Sequence, residues 1–162
     1  LGLQNGDEAA ESARGMIKFA TARGIPVDGV LVEEMISFDH EFIVGLRCDP
    51  VFGPMLVLGR GGVTVELEPD VTRAFLPLTA SEIEDMIRSL RAAPLLEGFR
   101  GAQPCDIAGL ARIVKELCDL YMHDETLSEI EINPLVADRT GRFVALDALV
   151  SRSPETRVGD AP

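Results

Sequence analysis

Glu129-Ile130-Glu131-Ile132-Asn133-Pro134-Leu135, with Asp147 downstream, is the stretch from which the rest of the chain can be read. Strand alternation sends Glu129, Glu131 and Asn133 to one face and Ile130 and Ile132 to the other. The next apolar run, Phe143-Val144-Ala145-Leu146-Asp147-Ala148-Leu149-Val150, follows Asp138-Arg139-Thr140-Gly141, which reads as a hairpin connection with Gly141 supplying a positive φ. If Arg139-Thr140-Gly141 is the loop, Asp138 pairs with Arg142, and the same register carries Asn133 opposite Asp147. Directly paired residues have Cβ atoms ~5 Å apart. Two such side-chain oxygens can share one hard cation at ~2.1 Å each, the geometry of a small magnesium site. Antiparallel sheets also often leave one face in water, and on spacing alone a solvated acidic face is the simpler reading.

Working outward, the 162 residues are 46% hydrophobic, enough for one core and one domain. The net charge of -12, from 27 acidic against 15 basic residues, opposes a nucleic-acid or anionic-membrane partner. No apolar run reaches the ~18 residues of a membrane span and no signal pattern opens the chain, so a cytoplasmic location is expected. Cys48, Cys105 and Cys118 form no CxxC pair, which argues against a disulfide framework or a zinc site. His40 and His123 are isolated and read as structural. The chain opens on Leu1-Gly2-Leu3 rather than Met, as if a strand ended there, and it is expected to be a fragment.

Asp7 is the expected cap of a helix bearing Ala9, Ala13, Met16, Ile17 and Ala20, with Gly24 as its stop. Strands are expected over Val30–Ile36 and Glu41–Arg47, joined by the turn-like Ser37-Phe38-Asp39-His40. Met55–Leu58 reads as a buried strand after the turn-rich Asp49–Pro54. Gly59-Arg60-Gly61-Gly62 is expected to interrupt it before strands at Val63–Glu66 and Arg73–Leu76. Thr79 with Glu82 makes a capping box ahead of the apolar stripe Ile83, Met86, Ile87 and Leu90. Asp106 caps a second helix bearing Ile107, Leu110, Val114, Cys118 and Tyr121, and Pro94–Gly101 between the two is an irregular loop whose Leu and Phe dock on the core. Residues 151–162 have few apolar anchors and read as a flexible tail or linker. The sum is an α+β fold, a mixed β-sheet with helices over it.

Val30-Leu31-Val32-Glu33-Glu34-Met35, Glu41, Asp49-Pro50-Val51-Phe52-Gly53-Pro54, Gly61-Gly62-Val63, Phe75-Leu76-Pro77-Leu78-Thr79, Glu131-Ile132-Asn133-Pro134-Leu135 and Asp147 together resemble the ATP-grasp domain of NDP-forming acyl-CoA synthetases. That family includes ADP-forming acetate-CoA ligases and, more distantly, the β subunit of succinyl-CoA synthetase. The resemblance spans residues 1–150 and implies the C-terminal portion of an ATP-grasp fold. The family's lysine-bearing, Gly-rich subdomain has no counterpart here; Lys18 and Lys115 are the only lysines, and neither adjoins a glycine-rich loop.

The same resemblance implies ATP or ADP and Mg²⁺ as cofactors. It makes Glu33, Glu34 and Met35 the linker strand whose backbone groups read adenine, and Glu41 a carboxylate at the ribose hydroxyls. Without it, these are ordinary exposed strand residues. Gly61 and Gly62 would let backbone approach a phosphate or a partner loop, or else form a bulge or tight turn. Arg60 and Arg73 are candidate cations at the phosphates, or balance neighbouring acids. Asn133 and Asp147 match the magnesium ligands, with Glu131 beside them as a third candidate. No residue is singled out as catalytic, because the family's phosphate-carrying histidine matches neither His40 nor His123.

The implied function is the nucleotide- and magnesium-binding part of an ADP-forming acyl-CoA synthetase, which makes acyl-CoA, ADP and phosphate from acid, CoA and ATP. Its implied partners are the CoA-binding and phosphohistidine-bearing domains of the same enzyme, with CoA and a short carboxylic acid as substrates of the whole. By itself the chain is expected to be inactive and to bind nucleotide weakly. A regulatory synthetase-like module of a protein lysine acetyltransferase, or a non-catalytic interaction domain, is the alternative.

Overall fold

The computed structural model describes residues 2–62, 70–101 and 103–153. The chain divides into two compact units, residues 1–37 and 38–162. In the first, α1 (Gly6–Thr21) is capped by Asn5, whose side chain accepts from the Glu8 N–H. The cap is thus two residues earlier than Asp7, which lies in the first turn, where its charge complements the helix dipole. Gly24, at φ +69°, follows the helix end.

No ladder forms over residues 25–37, so the strand expected at Val30–Ile36 is absent from the described structure. Its apolar residues suit a strand, but a strand needs a neighbour for its N–H and C=O groups. None pairs with this stretch among the described residues, and Leu31 and Val32 are 79% and 69% exposed.

The second unit is an antiparallel sheet covered on one face by helices. Its strands are β1 (Phe38–Asp49), β2 (Gly53–Arg60) and β3 (Val71–Phe75), then β4 (Leu127–Asp138), β5 (Phe143–Ala145) and β6 (Ala148–Arg152). Among the described residues the order is β3-β2-β1-β4-β5, with β6 pairing β4 beyond β5. Phe42, Val44 and Leu46 of β1, Leu56 and Leu58 of β2, and Ile130 and Ile132 of β4 turn one face inward. They meet Ile83 and Ile87 of α2 (Ala80–Ser89), and Leu110, Val114 and Tyr121 of α4 (Ile107–His123), in one core. The Tyr121 hydroxyl donates to the Ser128 carbonyl at 3.0 Å, which satisfies the polar end of the ring.

The expected caps of these two helices form. Thr79 and Glu82 make the reciprocal capping box, and Asp106 accepts from the Gly109 N–H. Four other expectations need correction. Ser37–His40 is not a turn, because β1 already starts at Phe38 and follows β4 out to Asp138. Gly59-Arg60 does not interrupt β2, since Gly59 gives β3 room: a Cβ there would lie 2.7 Å from the Asp70 carbonyl oxygen.

The Pro94–Gly101 loop contains a short helix, α3 (Ala93–Leu96), and a 3₁₀ turn at Phe99–Gly101. Leu96 is buried as expected, but Leu95 and Phe99 are exposed. The strand β6 runs through Arg152, two residues into the stretch read as tail, held by the Arg152–Asp124 ion pair at 2.9 Å. The strand expected at Val63–Glu66 and residues 154–162 of the tail lie outside the described residues. Among the described residues no helix is long and apolar enough to cross a membrane.

Candidate functional site

The face of the sheet away from the helices carries the polar half of each strand's alternation. On β4 these residues include Glu129, Glu131 and Asn133. The hairpin that follows takes the expected register: Asp138 N–H donates to the Arg142 carbonyl at 2.9 Å, and Leu135 faces Ala145. Gly141 sits at φ +84° in the loop. The register continues past a break at Leu146-Asp147, where Asn133 N–H donates to the Asp147 carbonyl at 3.1 Å and Ile132 then faces Ala148. Asn133 and Asp147 are therefore opposite one another, and both are exposed.

The chemistry of this donor set fits a hard divalent cation. The Asn133 Nδ2 turns to Glu131 Oε1 at 3.4 Å, leaving its Oδ1 a free acceptor, and the Asp147 carboxylate has no partner among the described residues. Those groups are all oxygen, which suits Mg²⁺ rather than a softer ion. No group of three or more His, Cys, Asp or Glu forms a metal cage among the described residues. Mg²⁺ is usually held by one or two carboxylates, with phosphates and water completing its shell. Two of the three thiols offer no alternative: burial, chiefly, pushes Cys105 up to about 11 and Cys118 to about 12, so neither is a thiolate near neutrality.

The other expected nucleotide residues fall in two places. Glu41, Gly61 and Gly62 come together, with Gly61 N–H donating to the Glu41 carbonyl at 2.8 Å. Gly62, at φ +107°, lies under the Glu41 carboxylate, and a Cβ there would collide with its Oε1. The close approach seen at this glycine pair is thus to Glu41. Glu33, Glu34 and Met35 lie in the first unit, exposed and outside any strand. Of the two candidate cations, Arg60 follows Leu56 and Leu58 at period two and belongs to the helix-side face, whereas Arg73 stands on the open face.

A shallow groove of about 200 Å³ crosses that open face, lined in part by Gly45, Arg47, Val57, Arg73, Glu129 and Glu131. Arg73, Val57, Gly45 and Glu131 form one row across β3, β2, β1 and β4, and Arg47 faces Glu129 in the next row. Gly45 and Arg47 were not singled out from sequence. Their signal was a glycine inside an apolar strand, which often marks close approach of another group.

Residues 1–151 match the ATP-grasp domain family. The β subunit of acetate–CoA ligase [ADP-forming] I from Pyrococcus furiosus is 35% identical over 150 residues, covering 91% of this chain and 64% of that protein. The 4-hydroxybutyrate–CoA ligase [ADP-forming] of Nitrosopumilus maritimus is 33% identical over 144 residues, 88% of this chain and 21% of its own length. Among solved structures, the dinucleotide-forming acetyl-coenzyme A synthetase 1 of Ca. Korarchaeum cryptofilum, in complex with coenzyme A and Mg-AMPPCP, superposes with a TM-score of 0.80 at 30% identity. It covers 93% of this chain, which spans 66% of that one; its phosphohistidine segment points towards the nucleotide binding site.

Proposed function

The chain belongs to the ATP-grasp domain family, and from that premise we propose that it is the nucleotide- and magnesium-binding part of an ADP-forming acyl-CoA synthetase. Its relatives are ADP-forming acyl-CoA ligases, and it spans from about a fifth to about two thirds of their length. The observation that supports the proposal is the hairpin register, in which the Asn133 N–H donates to the Asp147 carbonyl at 3.1 Å, so that the two residues lie opposite one another in the hairpin.

Asn133 Oδ1 and the Asp147 carboxylate would hold Mg²⁺, with Glu131 beside them adding negative charge. The ion would neutralise charge on the nucleotide's terminal phosphates, the main demand of phosphoryl transfer. Glu41 accepts hydroxyl donors at the ribose, its carboxylate lying over the side-chain-free surface of Gly61 and Gly62. Backbone groups of Glu33, Glu34 and Met35 read the adenine edge. The CoA-binding and phosphohistidine-bearing domains would be its partners in a whole enzyme that takes CoA and a short carboxylic acid.

The test is product analysis of the parent enzyme with MgATP, CoA and a panel of short carboxylic acids. Acid-dependent release of ADP, phosphate and acyl-CoA is expected. Asp147→Asn should reduce that turnover at least a hundredfold, by loss of a charged metal ligand, with an unchanged unfolding midpoint because Asp147 is exposed. Turnover that survives this substitution would remove the metal assignment. AMP and pyrophosphate in place of ADP and phosphate would remove the reaction type.

A further inference from the structure

Glu41 is held differently from the turn and cap carboxylates of this chain. Asp49, Asp106 and Asp138 each accept backbone N–H groups, so hydrogen bonds fix their direction. Among the described residues no donor reaches the Glu41 carboxylate. A glutamate left to itself rotates about three side-chain bonds, and a ligand that orders it must offset that entropy. At Glu41 the constraint is one of shape.

The shape is built by β2 and the residues that follow it. Ile43 faces Gly59, and Gly61 N–H donates to the Glu41 carbonyl at 2.8 Å, so the register places a glycine beside each of these two β1 residues. A Cβ on Gly61 would lie 3.1 Å from Glu41 Cγ and 3.4 Å from the Glu41 carbonyl carbon, and one on Gly62 would collide with Glu41 Oε1. The glutamate stem therefore rests on Gly61 and its carboxylate on Gly62. A turn explains only half of this pair. Gly62, at φ +107°, has a backbone conformation that asks for glycine, whereas Gly61 is buried and lies outside the left-handed region, so what asks for glycine there is the packing of Glu41 and Phe42.

We propose that Gly61 and Gly62 are positioning residues that act through Glu41: their missing side chains form a seat that points the carboxylate one way with its oxygens open to a ligand, and so set a preference for a sugar that bears hydroxyls over one that lacks them. This rests on the reading of Glu41 as the ribose contact, and it gives the glycine pair a task other than approach to phosphate. An ionised carboxylate accepts two O–H donors well. A site built to hydrogen-bond hydroxyls rejects the analogue without them, because its acceptors are then left unpaired.

Two measurements test the seat, one on the chain and one on the parent enzyme. In the chain, ¹³C NMR of labelled glutamate carboxyls should show the Glu41 resonance, assigned by its loss in Glu41→Gln, displaced in Gly62→Ala and displaced less in Gly61→Ala. In the parent enzyme, calorimetry should show ATP bound about tenfold more tightly than 2′,3′-dideoxy-ATP, the worth of one charge-assisted hydrogen bond. Glu41→Gln and Gly62→Ala should each remove that preference, and Gly61→Ala should reduce it. The Glu41→Gln/Gly62→Ala double variant should lose no more than either single one, because the glycine acts only through the carboxylate. In turnover, KM for ATP should rise in the glycine variants with a much smaller change in kcat. Backbone strain at Gly62 is absent from Gly61→Ala, so a graded loss across the two separates a seat from a turn.

An unmoved Glu41 resonance in both alanine variants would overturn the seat. So would a full preference for ATP in both glycine variants where Glu41→Gln has lost it, or additive losses in the double variant. If Glu41→Gln itself keeps the preference, the ribose reading fails, and the displacement of the Glu41 resonance alone then decides whether the glycines hold the carboxylate.

Discussion

The two faces of the sheet are made by the same strands and follow opposite rules. On the helix side Phe42, Val44, Leu46, Leu56 and Leu58 are fully buried. On the other side their neighbours in sequence are Ile43, Gly45, Arg47 and Val57, with Glu129 and Glu131 across from them, and all of these contact solvent. The period-two alternation that builds the core therefore also delivers charged groups to one plane, spaced by strand separation and rise. The buried core and the candidate site are divided between faces, so a substitution should disturb one and spare the other.

The strongest way to break that division is to hollow the closed face. Phe42→Ala should cost about 3–5 kcal/mol, because Phe42 is completely buried between the sheet and the helices. Urea unfolding would report it as a lower midpoint with an unchanged slope. On the open face, Glu129→Gln should change stability by no more than about 0.5 kcal/mol. If the two substitutions cost the same, the open face carries structural energy that its exposure does not show.

A smaller effect tests where the sheet is tied to its helices. The Asp70 carboxylate accepts the N–H groups of Arg91 and Ala92 at 2.9 Å each, joining the start of β3 to the end of α2 across 21 and 22 residues of sequence. Asp70→Ala leaves both donors without that partner and should cost about 2 kcal/mol. Asp70→Asn, which keeps one acceptor oxygen, should recover part of the loss. An equal loss in both variants would mean that charge, not acceptor geometry, holds the tie.

Much of this division can be read from sequence, and the part that cannot has a physical reason. The Asp138–Gly141 turn sets a register locally, so Asn133 opposite Asp147 follows from a few adjacent residues. The α2 capping box is likewise local. The neighbours of β1 are not: it lies between β2 and β4, and β4 is some eighty residues further along the chain, roughly where loop-closure entropy alone gives no guidance. Gly45 and Arg47 become site residues only once both partners are known, because the groove is a property of rows, not of one strand. At Val30–Ile36 the apolar pattern suggested a strand, but pattern cannot supply the pairing partner that makes one.

The smallest effect belongs to the hairpin turn that sets the Asn133–Asp147 register. Asp138 accepts from the Thr140 hydroxyl, from the N–H groups of Thr140 and Arg142, and from Arg142 Nε. Those bonds, the Thr140 hydroxyl foremost, hold its carboxyl down at about 2, below its ordinary 3.8. A carboxyl depressed in the folded state binds fewer protons there than in the unfolded chain, so stability rises with pH between those two values. The contribution should be complete above about pH 4, decline as pH falls, and vanish below about 2, where both states are protonated. Urea unfolding at a series of acidic pH values should show a shallower pH dependence for Asp138→Asn than for the wild type. Identical slopes would show that the turn does not draw on this charge, and the register would then rest on the backbone bonds and Gly141 alone.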